Sequence, residues 1–219
     1  MKINIAIDGP SAAGKSSIAD VLANKLGYTH LDTGAMYRAV AYSAFKNGIA
    51  IDDEENVVKM IENMSLEMPA DGRVILDSED ISGLIRTNEI SMGASNVSKL
   101  QNVRKALVAM QQRIAKDGGY ILDGRDIGTV VLKDASVKLY LVASAKARAD
   151  RRVKQDAEKG IIDDWQTIYD DILKRDYQDS HREHSPLKKA DDAIEIDTSD
   201  MTKEEVVEKV MKIVEAKLG

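Results

Sequence analysis

The sequence predicts an α/β fold in which a five-stranded parallel sheet carries helices on both faces. Three observations lead there. Five short β-prone segments, at residues 3–7, 28–32, 119–123, 137–142 and 193–197, are spread along the 219-residue chain. Stretches between them carry apolar residues at helical spacing. The first segment also runs directly into a glycine-rich turn and then an amphipathic stretch. Strands that alternate with helices favour parallel pairing, because each crossover helix returns the chain to the same end of the sheet.

In order along the chain, the strand at 3–7 is followed by Ile18, Val21, Leu22 and Leu26 on one helical face, then the strand at 28–32. Residues 65–84 interrupt the alternation. Leu66-Glu67-Met68 and residues 73–76 are β-prone and joined through Asp71-Gly72, a dipeptide suited to a tight hairpin, so a small β insert is expected. Leu100, Val103, Leu107 and Ile114 predict a helix before the strand at 119–123. After the strand at 137–142, residues 156–164, with Lys159-Gly160 at the centre, read as a helix end and a mobile connection. Trp165, Ile168, Tyr169 and Ile172 then predict a further helix. The last helix follows the strand at 193–197 and opens with a capping box, Thr202 with Glu205. It places Val206, Val210, Ile213 and Val214 on one face.

The length suits one compact domain over residues 1–219. With 43% hydrophobic and 31% charged residues, the chain can bury a core and keep a polar surface. No charge-free stretch approaches the ~20 apolar residues of a membrane span. The N-terminus enters a strand pattern at once and meets an acid at Asp8, unlike a secretory signal. Absence of cysteine removes disulfides, thiolate metal sites and cysteine nucleophiles, and the expectation is a cytoplasmic protein. The 31 basic and 37 acidic residues leave a net charge of −6, whereas a protein gripping nucleic-acid phosphates usually shows a basic surplus. Aromatics, at 4%, do not interleave with basic runs, so no nucleic-acid partner is expected.

The strongest motif is Gly9-Pro10-Ser11-Ala12-Ala13-Gly14-Lys15-Ser16, which fits G-x-x-x-x-G-K-[ST] between a strand and a helix. Gly9 and Gly14 let the backbone turn tightly, so that successive N–H groups point at anionic oxygens. The positive end of the next helix adds to that pull. Lys15 would bridge the β- and γ-phosphates of a nucleoside triphosphate and Ser16 would hold Mg²⁺.

A phosphate loop alone leaves switch GTPases, motors, helicases and small-molecule kinases open. A kinase acting on a phosphorylated acceptor needs a second cationic set facing the first, to offset repulsion between two anions. Arg38 follows the second strand, and Arg125, in Asp123-Gly124-Arg125-Asp126, follows the third, at the sheet end where α/β proteins bind ligands. Asp123 ends an apolar strand in the manner of an acid that positions Mg²⁺. Arg148, Arg151 and Arg152 share a helix face and would repel one another unless an anion sat among them. Arg175, Asp179 and Arg182 share another face, where Asp179 either serves the site or pairs with Arg175. No Asn-Lys-x-Asp guanine reader is present, nor the long second domain of a helicase.

These segments together resemble the bacterial-type cytidylate kinases, of the nucleoside monophosphate kinase group of P-loop proteins. The resemblance covers essentially the whole chain. It is carried by residues 7–15, by Leu31-Asp32-Thr33-Gly34-Ala35-Met36-Tyr37-Arg38, by Ile85-Arg86-Thr87 with Ser95, and most specifically by Asp123-Gly124-Arg125-Asp126-Ile127-Gly128-Thr129. It implies a P-loop fold with a five-stranded parallel sheet, a β-rich monophosphate-side insert at about residues 65–85 and a lid at about 148–164. It also implies transfer of a phosphoryl group from ATP, with Mg²⁺, to CMP or dCMP, and a monomer. By position, Thr33, Arg38, Arg125 and Arg182 resemble acceptor-phosphate residues, and Ser95, Arg104 and Asp126 resemble cytosine readers. Arg175 and Asp179 resemble the pair on the pentose hydroxyls, and Arg148, Arg151 and Arg152 fall on the ATP lid. Residues 9–17 would cradle ATP. Many relatives have glycine after the loop lysine and the hydroxyl one place later. Here Ser16-Ser17 leaves either serine able to face Mg²⁺, with Ser16 favoured by the general motif. Alternative readings are a P-loop kinase for another small acceptor such as shikimate, a nucleotide-dependent switch or remodelling ATPase, and a non-catalytic nucleotide-binding module.

Overall fold

The computed structural model describes residues 2–218 apart from 159 and 163. The elements run β1 (Ile5–Asp8), α1 (Lys15–Leu26), β2 (Thr29–Asp32), α2 (Thr33–Lys46), α3 (Glu54–Asn63), β3 (Leu66–Glu67), β4 (Ile75–Leu76) and β5 (Glu79–Asp80). They continue with α4 (Asn88–Val97), α5 (Gln101–Ile114), β6 (Tyr120–Gly124), β7 (Val137–Val142), α6 (Ala145–Glu158), α7 (Trp165–His181), β8 (Ile194–Asp197) and α8 (Lys203–Leu218).

Five strands pair in parallel in the order β2-β6-β1-β7-β8. β1 lies at the centre, and Ile5, Ala6 and Ile7 have no exposure, the continuous apolar run expected of a strand covered on both faces. Ile5, Ile7, Leu139, Leu141 and Ile196 share one core cluster with Ile18 and Leu22 of α1 and Val206, Val210 and Val214 of α8. Ala6, Leu31 and Leu122 share another with Met36 and Val40 of α2, Val57 and Ile61 of α3, and Val103 and Leu107 of α5. The predicted capping box closes α8: Glu205 N donates to Thr202 Oγ1 at 3.2 Å, and Thr202 N to Glu205 Oε2 at 2.8 Å. The register sets Asp8 opposite Gly124 and Asp32 opposite Asp123. The acids that end β1, β2 and β6 therefore meet at one edge of the sheet.

Three helices lie outside the stretches whose periodicity marks them. α2 is rich in alanine, and α3 and α4 are short and partly polar. All three are stabilised by what they pack against: Ala35, Ala39 and Ala41 of α2 meet Val74, Leu76 and Ile81 of the insert and Ile90 and Ala94 of α4.

Residues 66–80 form a separate three-stranded antiparallel sheet in the order β3-β4-β5. The tight turn is not at Asp71-Gly72. Leu66 pairs with Leu76, which leaves that dipeptide inside a longer connection, where the Asp71 carboxylate accepts from Arg73 N and Nε. The two-residue turn is Asp77-Ser78, with φ of 49° and 71°, joining β4 to β5. Both residues adopt the left-handed geometry that matches hairpin twist, without a glycine to advertise it. α6 ends at Glu158, so the helix end expected within 156–164 lies there. Asp164 then caps α7 by accepting from Thr167 N at 2.8 Å. Lys159 and Asp163, both in that connection, lie outside the described residues. Among the described residues no helix is long and apolar enough to cross a membrane.

Gly9 shows how tightly the sheet edge is built. Its φ is 148°, and a Cβ there would stand 2.0 Å from the Leu141 carbonyl oxygen of β7. Gly9→Ala should therefore lower stability by about 3 kcal/mol or abolish folding, measured by denaturant unfolding. A cost under about 0.5 kcal/mol would show that β1 and β7 can separate there.

Candidate active site

Residues 9–14 join β1 to α1 as a loop with left-handed backbone at Ala12 and Gly14, φ 57° and 91°. Gly14 begins α1 without a capping side chain, so the first-turn N–H groups have no side-chain acceptor and can serve an anion. Lys15 is buried, and its Nζ donates to the Pro10 carbonyl at 2.6 Å. Burial, reinforced by the positive charge of Arg125, lowers its pKa to about 7. Ser11 Oγ is buried without a hydrogen-bond partner. Ser16 Oγ donates to Asp123 Oδ2 at 3.0 Å, while Ser17 does not line the crevice.

A single crevice runs from this loop across the carboxyl edge of the sheet. Its walls include Lys15, Ser16, Thr33, Arg38, Ser95, Arg104, Asp123, Arg125, Asp126, Arg152, Arg175, Asp179 and Arg182. The expected acceptor-side residues thus come together from α2, α4, α5, the end of β6 and α7 with the residue after it. Arg38 Nη2 donates to Asp32 Oδ2 at 2.7 Å, and its buried Nε has no partner. Arg125 Nε donates to Asp179 Oδ2 at 2.6 Å, so Asp179 serves the crevice rather than pairing with Arg175 along α7. Burial works to raise the Asp179 pKa, but Arg125 overrides it and holds the carboxyl below its usual range. Thr33 Oγ1 donates to the Asp123 carbonyl at 2.7 Å. A Cβ at Gly124 would come within 2.7 Å of that same Thr33 oxygen, so the close approach of α2 to β6 requires glycine.

At the far end, Arg104 Nη2 donates to Asp126 Oδ2 and Nη1 to the Ser98 carbonyl at 3.1 Å, leaving its buried Nε unpartnered. The guanidinium also lies over the Tyr37 ring, 5.6 Å from its centroid. Arg182 is 3.5 Å from Asp126, too far for a hydrogen bond, and its buried Nη2 has no partner. Ser95 Oγ donates to Gln178 Oε1 at 3.2 Å.

The three arginines of the expected lid are arranged differently from their spacing. Each has a protein partner. Arg148 donates to both carboxylate oxygens of Asp176 on α7 and to the Ser11 carbonyl at 3.1 Å. Arg151 donates to the carbonyl and hydroxyl of Thr198. Arg152 pairs with Asp156 at 2.7 Å and is the one of the three that lines the crevice. Their mutual repulsion is thus offset by carboxylate and backbone acceptors. Arg148 instead ties the phosphate loop to α6 and α7.

Several residues here have little or no sequence signal. Asp8, at the end of β1, accepts from Ile127 N at 2.8 Å and Gly128 N at 2.7 Å. It thereby clamps the single π-type turn, Ile127–Val131, that follows Asp126. Burial raises the Asp8 pKa to about 6 despite those two amides. An acid inside an otherwise apolar strand run was the available clue. Asp32 caps α2, accepting from Ala35 N at 2.9 Å, as well as holding Arg38. Burial pushes the Tyr37 hydroxyl up to about 12, keeping it neutral beside Arg104. His30 lies between Asp20 and Asp123.

The Ser16 hydroxyl and Asp123 carboxylate offer adjacent hard oxygen donors beside the phosphate loop, the donor type that Mg²⁺ selects. Among the described residues no group of three or more acidic, histidine or cysteine side chains forms an all-protein metal cage.

A loop for one set of phosphates that faces guanidinium groups suited to another is what a phosphoryl-transfer enzyme requires. On a parallel sheet of this kind it defines the P-loop kinases. Comparison with known proteins narrows the class. The chain matches the family described as Cytidylate kinase over residues 5–216. It is 45% identical to "Cytidylate kinase" of Geobacillus sp. (strain WCH70), with 99% of this chain and 98% of that one covered. It is 49% identical to "Cytidylate kinase" of Caldicellulosiruptor bescii, with 97% and 95% covered. The chain belongs to the cytidylate kinase family. Among solved structures, an uncharacterized protein from Eubacterium ventriosum superposes with a TM-score of 0.54 over 99% of both chains at 11% identity, a likeness of fold alone.

With a pKa near 7, Lys15 is mostly neutral at pH 8 in the unliganded protein. A triphosphate beside it restores the charge, so ATP binding at pH 8 should take up a proton, approaching one per site on the order-of-magnitude reasoning of proton linkage. Uptake should fade below pH 7, where Lys15 already carries its proton. Calorimetric titrations in buffers of different ionisation enthalpy measure this. Buffer-independent heats at pH 8 would mean that Lys15 is charged throughout.

Proposed function

We propose that this protein transfers the terminal phosphoryl group of ATP to CMP or dCMP, giving ADP and CDP or dCDP. The observation that carries this reading is the set of buried guanidinium N–H groups without protein partners, on Arg38, Arg104 and Arg182, along the crevice that begins at Lys15. Buried donors are normally satisfied, so three beside one crevice call for an anionic, acceptor-rich ligand. Family membership supplies its class.

On this reading the loop amides and Lys15 hold the donor phosphates, with Lys15 Nζ leaving the Pro10 carbonyl to do so. Arg38, Arg125 and Arg182 hold the acceptor phosphate, assisted by Thr33, and Arg175 and Asp179 face its sugar. Ser16 and Asp123 would hold Mg²⁺, which when bound neutralises charge on the β- and γ-phosphates. No general base is required, because the acceptor oxygen is already anionic. What remains for the chain is alignment, charge compensation and exclusion of water. α6 and α7 carry Arg152, Arg175 and Asp179 over the crevice, so inward movement of this pair would perform that exclusion. The reading includes a monomer, as the family resemblance implies, acting on free nucleotides in the cytoplasm, the compartment that the cysteine-free composition suits.

Base choice follows from hydrogen-bond chemistry. Cytosine presents an exocyclic amine beside two acceptors, at ring N3 and O2. Asp126 can accept from the amine while Arg104 and Ser95 donate to the acceptors. Uracil would set a carbonyl oxygen against the carboxylate. Sites that hydrogen-bond one group can reject an analogue lacking it by roughly 10⁴-fold, because their polar partners are left unpaired.

An acceptor panel of nucleoside monophosphates and shikimate with Mg·ATP, following ADP and the phosphorylated product, tests the function. CDP or dCDP should dominate; ATP turnover without a phosphorylated small product would refute it. In the same assay Asp126→Asn should reduce the CMP-over-UMP ratio of kcat/KM by at least about tenfold. An unchanged ratio would remove Asp126 from base reading.

A further inference from the structure

We propose that His30 is a positioning residue for the metal end of the site, orienting Asp123 through the chain Asp20–His30–Asp123–Ser16. The inference rests on the reading of Ser16 and Asp123 as the residues that hold Mg²⁺. His30 is on β2, next to β6, and its side chain is 13% exposed. Its Nδ1 lies 2.6 Å from Asp20 Oδ1 on α1, and its Nε2 lies 2.7 Å from Asp123 Oδ1. The ring thus bridges the two carboxylates through both of its nitrogens.

Two bonds on opposite sides of a planar ring leave it one orientation. That orientation occupies Oδ1 of Asp123, which leaves Oδ2 for the Ser16 hydroxyl at 3.0 Å. Asp123 is 3% exposed, and among the described residues no other cation pairs with it. Without His30 its carboxylate could rotate toward Lys15 or Arg125. What the bridge contributes is direction. Outer partners that fix the oxygens of a metal-binding carboxylate typically change metal affinity by 10- to 100-fold when removed.

The test uses Mn²⁺ as the metal probe. Electron paramagnetic resonance reports Mn²⁺ affinity in the protein–ATP complex, and calorimetry in chelator reports binding of metal-free ATP. His30→Leu should weaken Mn²⁺ binding by about tenfold and shift metal-free ATP affinity by less than about twofold. His30→Gln, which keeps one N–H donor for Asp123, should recover most of the loss. Asp20→Ala removes a side chain 62% exposed, so its fold is secure even if His30→Leu does not fold. It should weaken Mn²⁺ binding in the same direction by about threefold. Unchanged Mn²⁺ affinity in these variants, or equal losses with and without metal, would overturn the role. Asp123→Asn separates the layers. If it weakens Mn²⁺ binding while His30→Leu and Asp20→Ala do not, the His30 role alone falls. If it changes nothing, the Mg²⁺ reading falls and the His30 role falls with it.

Discussion

Carboxylates interleaved between guanidinium groups make the crevice possible. Arg38 is held by Asp32, Arg104 by Asp126, Arg125 by Asp179, Arg148 by Asp176 and Arg152 by Asp156. So many cations around one cleft would drive its walls apart if each were left unpaired. Buried ion pairs gain little net stability, since desolvation offsets most of their attraction. Their consequence here is geometric. At Arg38 and Arg104 the carboxylate fixes one edge of the planar guanidinium and leaves the buried Nε for a ligand.

The same arrangement sets the cost of ligand exchange. A phosphate that engages Arg125 competes with Asp179, and one that reaches Lys15 competes with the Pro10 carbonyl. On the proposed function, a bound phosphate would replace one hydrogen-bonded partner by another, so that no bare buried charge need be exposed. Asp8 and Asp123 anchor this exchange from the sheet edge. One clamps the turn after Asp126, and the other receives Ser16, His30 and, through its carbonyl, Thr33.

Most of the fold was legible because its signals are local. β1 is a continuous apolar run, the phosphate loop is a contiguous motif, and the Thr202–Glu205 box spans a single helical turn. α2 was harder to see. Its alanines face the insert and α4 while Met36 and Val40 face the sheet, and contact on both sides makes a weakly amphipathic stretch a buried helix. The Asp77-Ser78 turn was hidden for a related reason, since pairing of β4 with β5 imposes left-handed backbone on residues that do not announce it. The partners of the arginines at 148, 151 and 152 were not legible, because helical spacing reports which side chains are neighbours and not what the next helix brings to meet them.

By itself the sequence determined the strand–loop–helix that binds a triphosphate, the class of sheet, and the residue types available for a second anion. These follow from short-range periodicity and from chemistry within a few residues. The tertiary structure decided which arginine meets which acid, that Ser16 and not Ser17 faces Asp123, and that His30 joins Asp20 to the same carboxylate. Residues 20, 30 and 123 are far apart along the chain, and only the lateral order of β2 and β6 with α1 against them brings their polar atoms within 3 Å. Pairings of that kind depend on register between elements, which no local pattern encodes.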